Sequence, residues 1–116
     1  ARLGTTVTRA DAADFLESRL SSPAKNTLHM VYHTVAWQYF PAVTQTRGLA
    51  MLDAAGARAT KGSPLARIGM EADAETGSAA VTATLWPGGR HLNLGRADFH
   101  GRWVNWQAPR PEDVPW

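Results

Sequence analysis

The sequence has no cysteine. That absence excludes disulfide staples, cysteine-based zinc frameworks and thiol catalysis, and it fits a cytoplasmic protein. No apolar run approaches the roughly 18 residues of a membrane span, so no membrane partner is expected. Ala1–Thr8 lacks the charged-then-apolar layout of a secretion signal. There is no G-x-G-x-x-G, no Walker pattern and no G-x-S-x-G elbow. The chain therefore carries no recognisable phosphate cradle and no hydrolase-type nucleophile. Excess charge of one sign is scarce too: 12 Lys+Arg stand against 10 Asp+Glu, a net of +2. The basic residues are spread along the chain, with no run of three. So small and dispersed a surplus pulls only weakly on a phosphate backbone, and no nucleic-acid partner is expected.

What is present is ordinary for a globular chain. The 116 residues are 44% hydrophobic and 19% charged, which excludes wholesale disorder. A chain of this length is one domain or part of one. It hides roughly two-thirds of its unfolded surface when it folds.

The local patterns predict an alternation of strands and helices. Thr5-Thr6-Val7-Thr8 has the β-branched content of a short strand. Asp11 then reads as an N-cap for a helix over Ala12–Leu20, with Phe15, Leu16 and Leu20 on its apolar side. Ser21-Ser22-Pro23 ends that helix. The nearly continuous apolar run Leu28–Val35 reads as a strand buried on both faces. Pro41 opens a helix over Ala42–Ala55, and Gly56 is placed to cap its end. Leu65–Glu71 alternates as a strand, with Ala66, Ile68 and Met70 on one face. Ala80–Trp86 and Arg90–Ala97, joined by Pro87-Gly88-Gly89, form the clearest hairpin. Residues 108–116 hold three prolines and read as an extended Pro-rich surface tail. The resulting class is α/β: a partial doubly wound sheet that ends in an antiparallel hairpin.

Two stretches concentrate chemistry. In open α/β sheets, ligands bind beyond the carboxyl ends of the strands. His33 to Tyr39 falls there and brings an imidazole, an indole, an amide and a phenol from His33, Trp37, Gln38 and Tyr39. These residues can orient a small polar or flat ligand, with His33 as a general acid or base. Trp37 and Tyr39 also read as packing under the next helix. Glu71 ends its strand on the same predicted edge, where it reads either as a partner for His33 or as a solvated strand end. The second stretch is Asp98 to Trp106. It carries His100 as a further candidate acid or base, and Trp103 and Trp106 to stack on a ligand or cover the sheet edge. No metal site is expected. On a strand, His29 and His33 stand about 13 Å apart, too far to share an ion.

The segments Val31–Pro41, Pro64-Leu65-Ala66, Leu85–Gly89 and His100–Trp106 occur together in this order. That combination resembles the C-terminal part of an uncharacterised bacterial family known only as a domain of unknown function. The resemblance implies a Rossmann-like domain similar to S-adenosylmethionine-dependent methyltransferases. It implies that 1–116 is a single domain forming the C-terminal portion of a longer protein, with the cofactor's glycine-rich loop upstream. This fragment alone would then bind no cofactor and be inactive, while the full-length protein takes S-adenosylmethionine. Asp11 loosely matches the acidic residue near the adenine. His33 to Tyr39 falls where such enzymes face the methyl group and substrate, so His33, Glu71 and His100 are the catalytic candidates and Trp37, Gln38, Tyr39 and Trp103 the substrate-binding ones. The Asn/Asp-Pro-Pro-Tyr motif of amino-methylating enzymes is absent. The alternative is a non-catalytic binding or dimerisation module, a homodimer paired through an exposed sheet edge.

Overall fold

A computed structural model describes residues 4–116. The elements run α1 (Ala12–Leu20), β1 (His29–Thr34), a single 3-10 turn (Trp37–Tyr39), α2 (Ala42–Arg58), β2 (Leu65–Glu71), β3 (Ala79–Trp86), β4 (Arg90–Ala97), β5 (Val104–Trp106) and a second 3-10 turn (Pro111–Asp113). The five strands form one open sheet in sequence order, β1-β2-β3-β4-β5. Only β1 and β2 are parallel, joined through α2; every other pairing is antiparallel. The protein is thus a mixed α/β fold.

Local chemistry accounts for the helices. Asp11 accepts a hydrogen bond from the Asp14 amide at 3.0 Å and so satisfies one of the unpaired donors at the start of α1. The 3- and 4-residue spacing of Ala13, Leu16 and Leu20 turns one stripe of α1 inward. Leu16, Leu20, Leu52 of α2, Leu65 of β2 and Trp86 of β3 make the first core cluster. Fully burying one such leucine is worth about 1.5–3 kcal/mol.

The two faces of the sheet differ. Leu65, Arg67, Gly69 and Glu71 alternate onto the face that meets the helices. Register puts Val31 and His33 beside them from β1, and Trp86, Thr84 and Thr82 from β3. Ala66, Ala83, Leu85 and Leu94 form a second cluster on the opposite face, where Val114 from the C-terminal segment packs.

Four expectations are corrected. Residues 5–8 form no strand; they are exposed and pair with nothing in the sheet. The run from Leu28 to Val35 is not buried on both faces. β1 is an edge strand whose residues alternate between partly buried and exposed, with Met30 and Tyr32 50% and 73% exposed. Both helices contribute to the first core cluster and neither to the second, and α1 meets Met30 and Tyr32 only across an open cleft. Gly56 lies inside α2, which runs on to Arg58. A β-carbon at Gly56 would sit 2.3 Å from the Trp86 indole, so the glycine serves close packing, not capping. Finally, the tail is anchored. Asp113 is buried and accepts from Arg90 at 2.8 Å and from Arg110 at 3.2 Å.

Candidate functional site

The parallel pairing sets the site. His33 is the last residue but one of β1 and lies opposite Gly69 of β2; Glu71 ends β2. The carboxyl ends of β1 and β2 therefore point the same way, and the chain leaving β1 folds back over Glu71.

Glu71 organises this loop. Its Oε2 lies 2.8 Å from His33 Nδ1. Its Oε1 accepts from the Ala36 amide at 2.9 Å and from the Gln38 amide at 3.2 Å. Gln38 answers by accepting the Ala72 amide on its Oε1 at 2.8 Å. Val35, at the bend, has a φ of 45°, a conformation that is unfavourable for a β-branched side chain. Its amide is tied to the Met70 carbonyl at 2.8 Å. The strain of such a residue is of order 1–3 kcal/mol and persists only where its surroundings over-determine it. The bonds to Glu71 and Met70 do so here.

Both ring nitrogens of His33 are engaged. Arg67 Nε donates to His33 Nε2 at 3.1 Å, which requires a lone pair on Nε2 and puts the imidazole proton on Nδ1, facing Glu71. Burial is the largest influence holding His33 below its ordinary pKa. The Arg67 charge adds to it, against the opposing hydrogen bond from Glu71. The imidazole is therefore neutral at pH 7, oriented by a carboxylate as in other His–carboxylate pairs. General-base work at Nε2 requires Arg67 to move aside.

Trp37 walls the site. Its ring lies 5.0 Å from that of His33, and the Arg67 guanidinium carbon sits 4.3 Å from its centroid. Gln45 fixes the turn by donating to the Trp37 and Phe40 carbonyls, each at 3.1 Å. Two clefts meet at His33 and Trp37. A polar one of about 170 Å³ opens over Arg67, Gly69, Thr82, Thr84 and His91. An apolar one of about 440 Å³ runs between α1 and β1 along Phe15, Leu16, Met30, Val31 and Phe40.

The sequence-predicted residues are distributed as follows. His33, Glu71, Trp37 and Gln38 come together. Tyr39 is adjacent in the chain but 72% exposed, and it lines neither cleft. His100 and Trp103 lie in the β4–β5 connection at the far edge of the sheet, away from His33. That connection is built on Asp98. Its carboxylate accepts from the His100 and Arg102 amides at 3.0 and 3.1 Å, and from Arg102 Nε and Nη2, each at 3.0 Å. Asp11 caps α1, accepting the Asp14 amide on Oδ1, and lines neither cleft at His33. Among the described residues no group of three or more His, Cys, Asp or Glu could hold a metal ion. None of these helices is long and apolar enough to cross a membrane.

Arg67, Thr84 and His91 were not singled out from the sequence. The signal was present in the strand alternation. Placing Ala66, Ile68 and Met70 on one face of β2 puts Arg67, Gly69 and Glu71 on the other, a polar surface where a core strand ordinarily presents apolar side chains.

No curated protein and no solved structure matches the chain. Residues 1–106 match the model of a family described as an uncharacterised protein conserved in bacteria (DUF2332), and the chain belongs to that family.

Proposed function

We propose that this chain forms the ligand-binding, substrate-side face of a methyltransferase-like protein, with the ligand seated where the two clefts meet. One observation carries the reading. A neutral His33, aligned by Glu71 and capped by Arg67, stands at the carboxyl ends of the parallel strand pair, with a polar cleft on one side and an apolar cleft on the other. Ligands of open α/β sheets bind at such ends. The pairing of polar groups with an apolar wall is the usual composition of a small-molecule site.

On this reading the residues that hold S-adenosylmethionine lie outside the chain, which supplies only the surface facing the methyl acceptor. His33 and Trp37 position that acceptor, Gln38 fixes the loop that carries them, and the protein acts in the cytoplasm on a small molecule. Calorimetric titration of S-adenosylmethionine tests the methyltransferase part. Full-length protein is expected to give saturable heat and a thermal shift, and the chain alone neither. Absence of both from full-length protein overturns it. The binding-face part is tested by amide chemical shifts of the chain against a fragment library. Hits are expected to move Ala36 and Gln38, and a library that leaves both in place overturns the reading.

The second reading is homodimerisation through β1. Its support is the outer edge of that strand, which pairs with no strand among the described residues and is flanked by exposed Met30 and Tyr32. Light scattering that gives a monomer mass at every concentration removes it.

A further inference from the structure

Two arginines of the described strands are partly buried, and the chain treats them differently. Arg96 is saturated. Its Nη1 and Nη2 donate to the two Asp73 oxygens at 2.7 and 3.0 Å, its Nη2 also reaches the Ser78 carbonyl at 2.8 Å, and its Nε reaches Ser78 Oγ at 3.0 Å. Arg67 makes one hydrogen bond, from Nε to the neutral His33 ring. Among the described residues neither of its Nη groups donates to anything, and it belongs to no ion pair. Its guanidinium is pinned against Trp37, so the fork is held in place without being consumed.

A desolvated guanidinium with open donors is costly unless something accepts from it. Glu71 and Asp53 are the carboxylates whose charge reaches Arg67. Glu71 already takes donors from His33, Ala36 and Gln38.

The sheet register puts Val31, Arg67, Thr84 and His91 on one rung, and the last three line the polar cleft. Thr84 Oγ1 and His91 Nδ1 are 3.2 Å apart. With the proton on that nitrogen, the threonine hydroxyl accepts there and donates into the cleft. The next rung holds His33, Gly69 and Thr82, and the missing side chain of Gly69 leaves room for the His33 ring beside Arg67.

We propose that Arg67, with Thr84 and His91 from the same rung, forms an oxyanion site that takes the carboxylate or phosphate group of the ligand bound at this face. The inference rests on the ligand-binding reading above and gives that ligand its chemistry. A guanidinium fork matches two oxygens of either group, and Thr84 supplies a third donor.

The probes are benzoate, inorganic phosphate and, as the neutral counterpart of benzoate, benzamide, each titrated into the chain by calorimetry and followed at the Arg67 Nε resonance. Saturable binding of benzoate or phosphate is expected, without matching binding of benzamide. Arg67→Gln is expected to weaken it about tenfold or more, the loss that goes with a charge-assisted hydrogen bond. Arg67→Lys, which keeps the charge but not the fork, falls between, and Lys61→Gln, on an exposed turn away from both clefts, leaves it unchanged. Response to benzoate alone identifies a carboxylate ligand, to phosphate alone a phosphate, and to both a general oxyanion site; each supports the proposal. No saturable response to either anion, equal binding of benzamide, or wild-type affinity in Arg67→Gln overturns it. If Arg67→Gln fails to fold, the wild-type Arg67 resonance and Arg67→Lys decide. Neutral fragments that move Ala36 and Gln38 while both anions leave Arg67 still would defeat the oxyanion site and leave the binding face standing.

Discussion

Two carboxylates at strand ends each hold a loop in this protein, and they do it with opposite reach. Asp98, just past β4, takes the amides of His100 and Arg102, two and four residues ahead of it, and then the Arg102 side chain as well. Glu71, at the end of β2, takes the amides of Ala36 and Gln38 and the His33 ring, 33 to 38 residues behind it. The first arrangement is self-contained. Its one guanidinium pairs with its one carboxylate through Nε and Nη2, within the same turn. The second spends its carboxylate on backbone and imidazole and leaves the neighbouring guanidinium open. Local pairing closes a turn; long-range, incomplete pairing leaves donors open beside the sheet.

Removing each carboxylate tests that contrast. Glu71→Ala strips partners from three partly buried donors at once and is expected to cost about 2–4 kcal/mol, read as a fall in chemical-denaturation midpoint. A loss below about 1 kcal/mol would mean that water replaces those bonds and the loop does not depend on Glu71. Gly69→Ala attacks the same centre sterically. Its β-carbon would lie 2.9 Å from the His33 ring, which is pinned on both nitrogens and cannot swing away. The expected cost is about 1–3 kcal/mol, with a displaced His33 ring signal in the NMR spectrum. An unmoved His33 resonance in a stable Gly69→Ala protein would show the ring to be loosely held.

Asp98→Ala is expected to lower the melting temperature less than Glu71→Ala, because the freed donors sit in an exposed connection that water can reach. It is also expected to leave the Ala36 and Gln38 amide shifts in place. A larger fall than that of Glu71→Ala would reverse the comparison.

The smallest effect is the dependence of stability on pH. Folding holds His33 below its ordinary pKa, mainly through burial, so the unfolded chain binds a proton more readily than the folded one. The contribution of His33 is then complete above about pH 6.5 and is lost as pH falls toward the folded value. Asp98, held well below the usual carboxylate range by Arg102 and its backbone donors, acts in the same direction but in a more acidic window. Melting curves between about pH 7.5 and pH 5 are therefore expected to decline in wild type and to flatten in His33→Gln. Equal slopes in the two proteins would show that the imidazole is not the group responsible.

Much of this was legible in the sequence, for identifiable reasons. Asp11 with Leu16 and Leu20 announced α1, although Phe15, read with them as apolar-side, is 41% exposed and Ala13 takes the buried place; Pro87-Gly88-Gly89 announced the β3–β4 hairpin, because caps and turns are set by neighbours in the chain. One rule about strand ends put His33, Trp37, Gln38 and Glu71 on the same edge, but it left open whether Glu71 pairs with His33 or ends its strand in solvent. What was missed depends on partners distant in sequence. Residues 5–8 have strand-like composition but no strand to pair with. Leu28–Val35 is apolar throughout, and only the sheet order makes it an edge with Met30 and Tyr32 outward. Val104–Trp106 is too short for alternation to reveal, and it is a strand only because β4 lies beside it. Gly56 looked like a helix terminus because its neighbour Trp86 is far along the chain. Arg67 went unnoticed because its meaning lies across the sheet, in Thr84 and His91.

The span between Glu71 and the loop it holds also sets an order of assembly. Closing a short turn costs little chain entropy, so β3 and β4 can zip early, and the Asp98 connection forms with them. The groups of the His33 centre meet only after α2 has folded and β1 has docked beside β2, a closure over a far longer loop. In hydrogen-exchange refolding, the amides of His100 and Arg102 are therefore expected to gain protection first and those of Ala36 and Gln38 last, so the His33 centre is the final part of the protein to form.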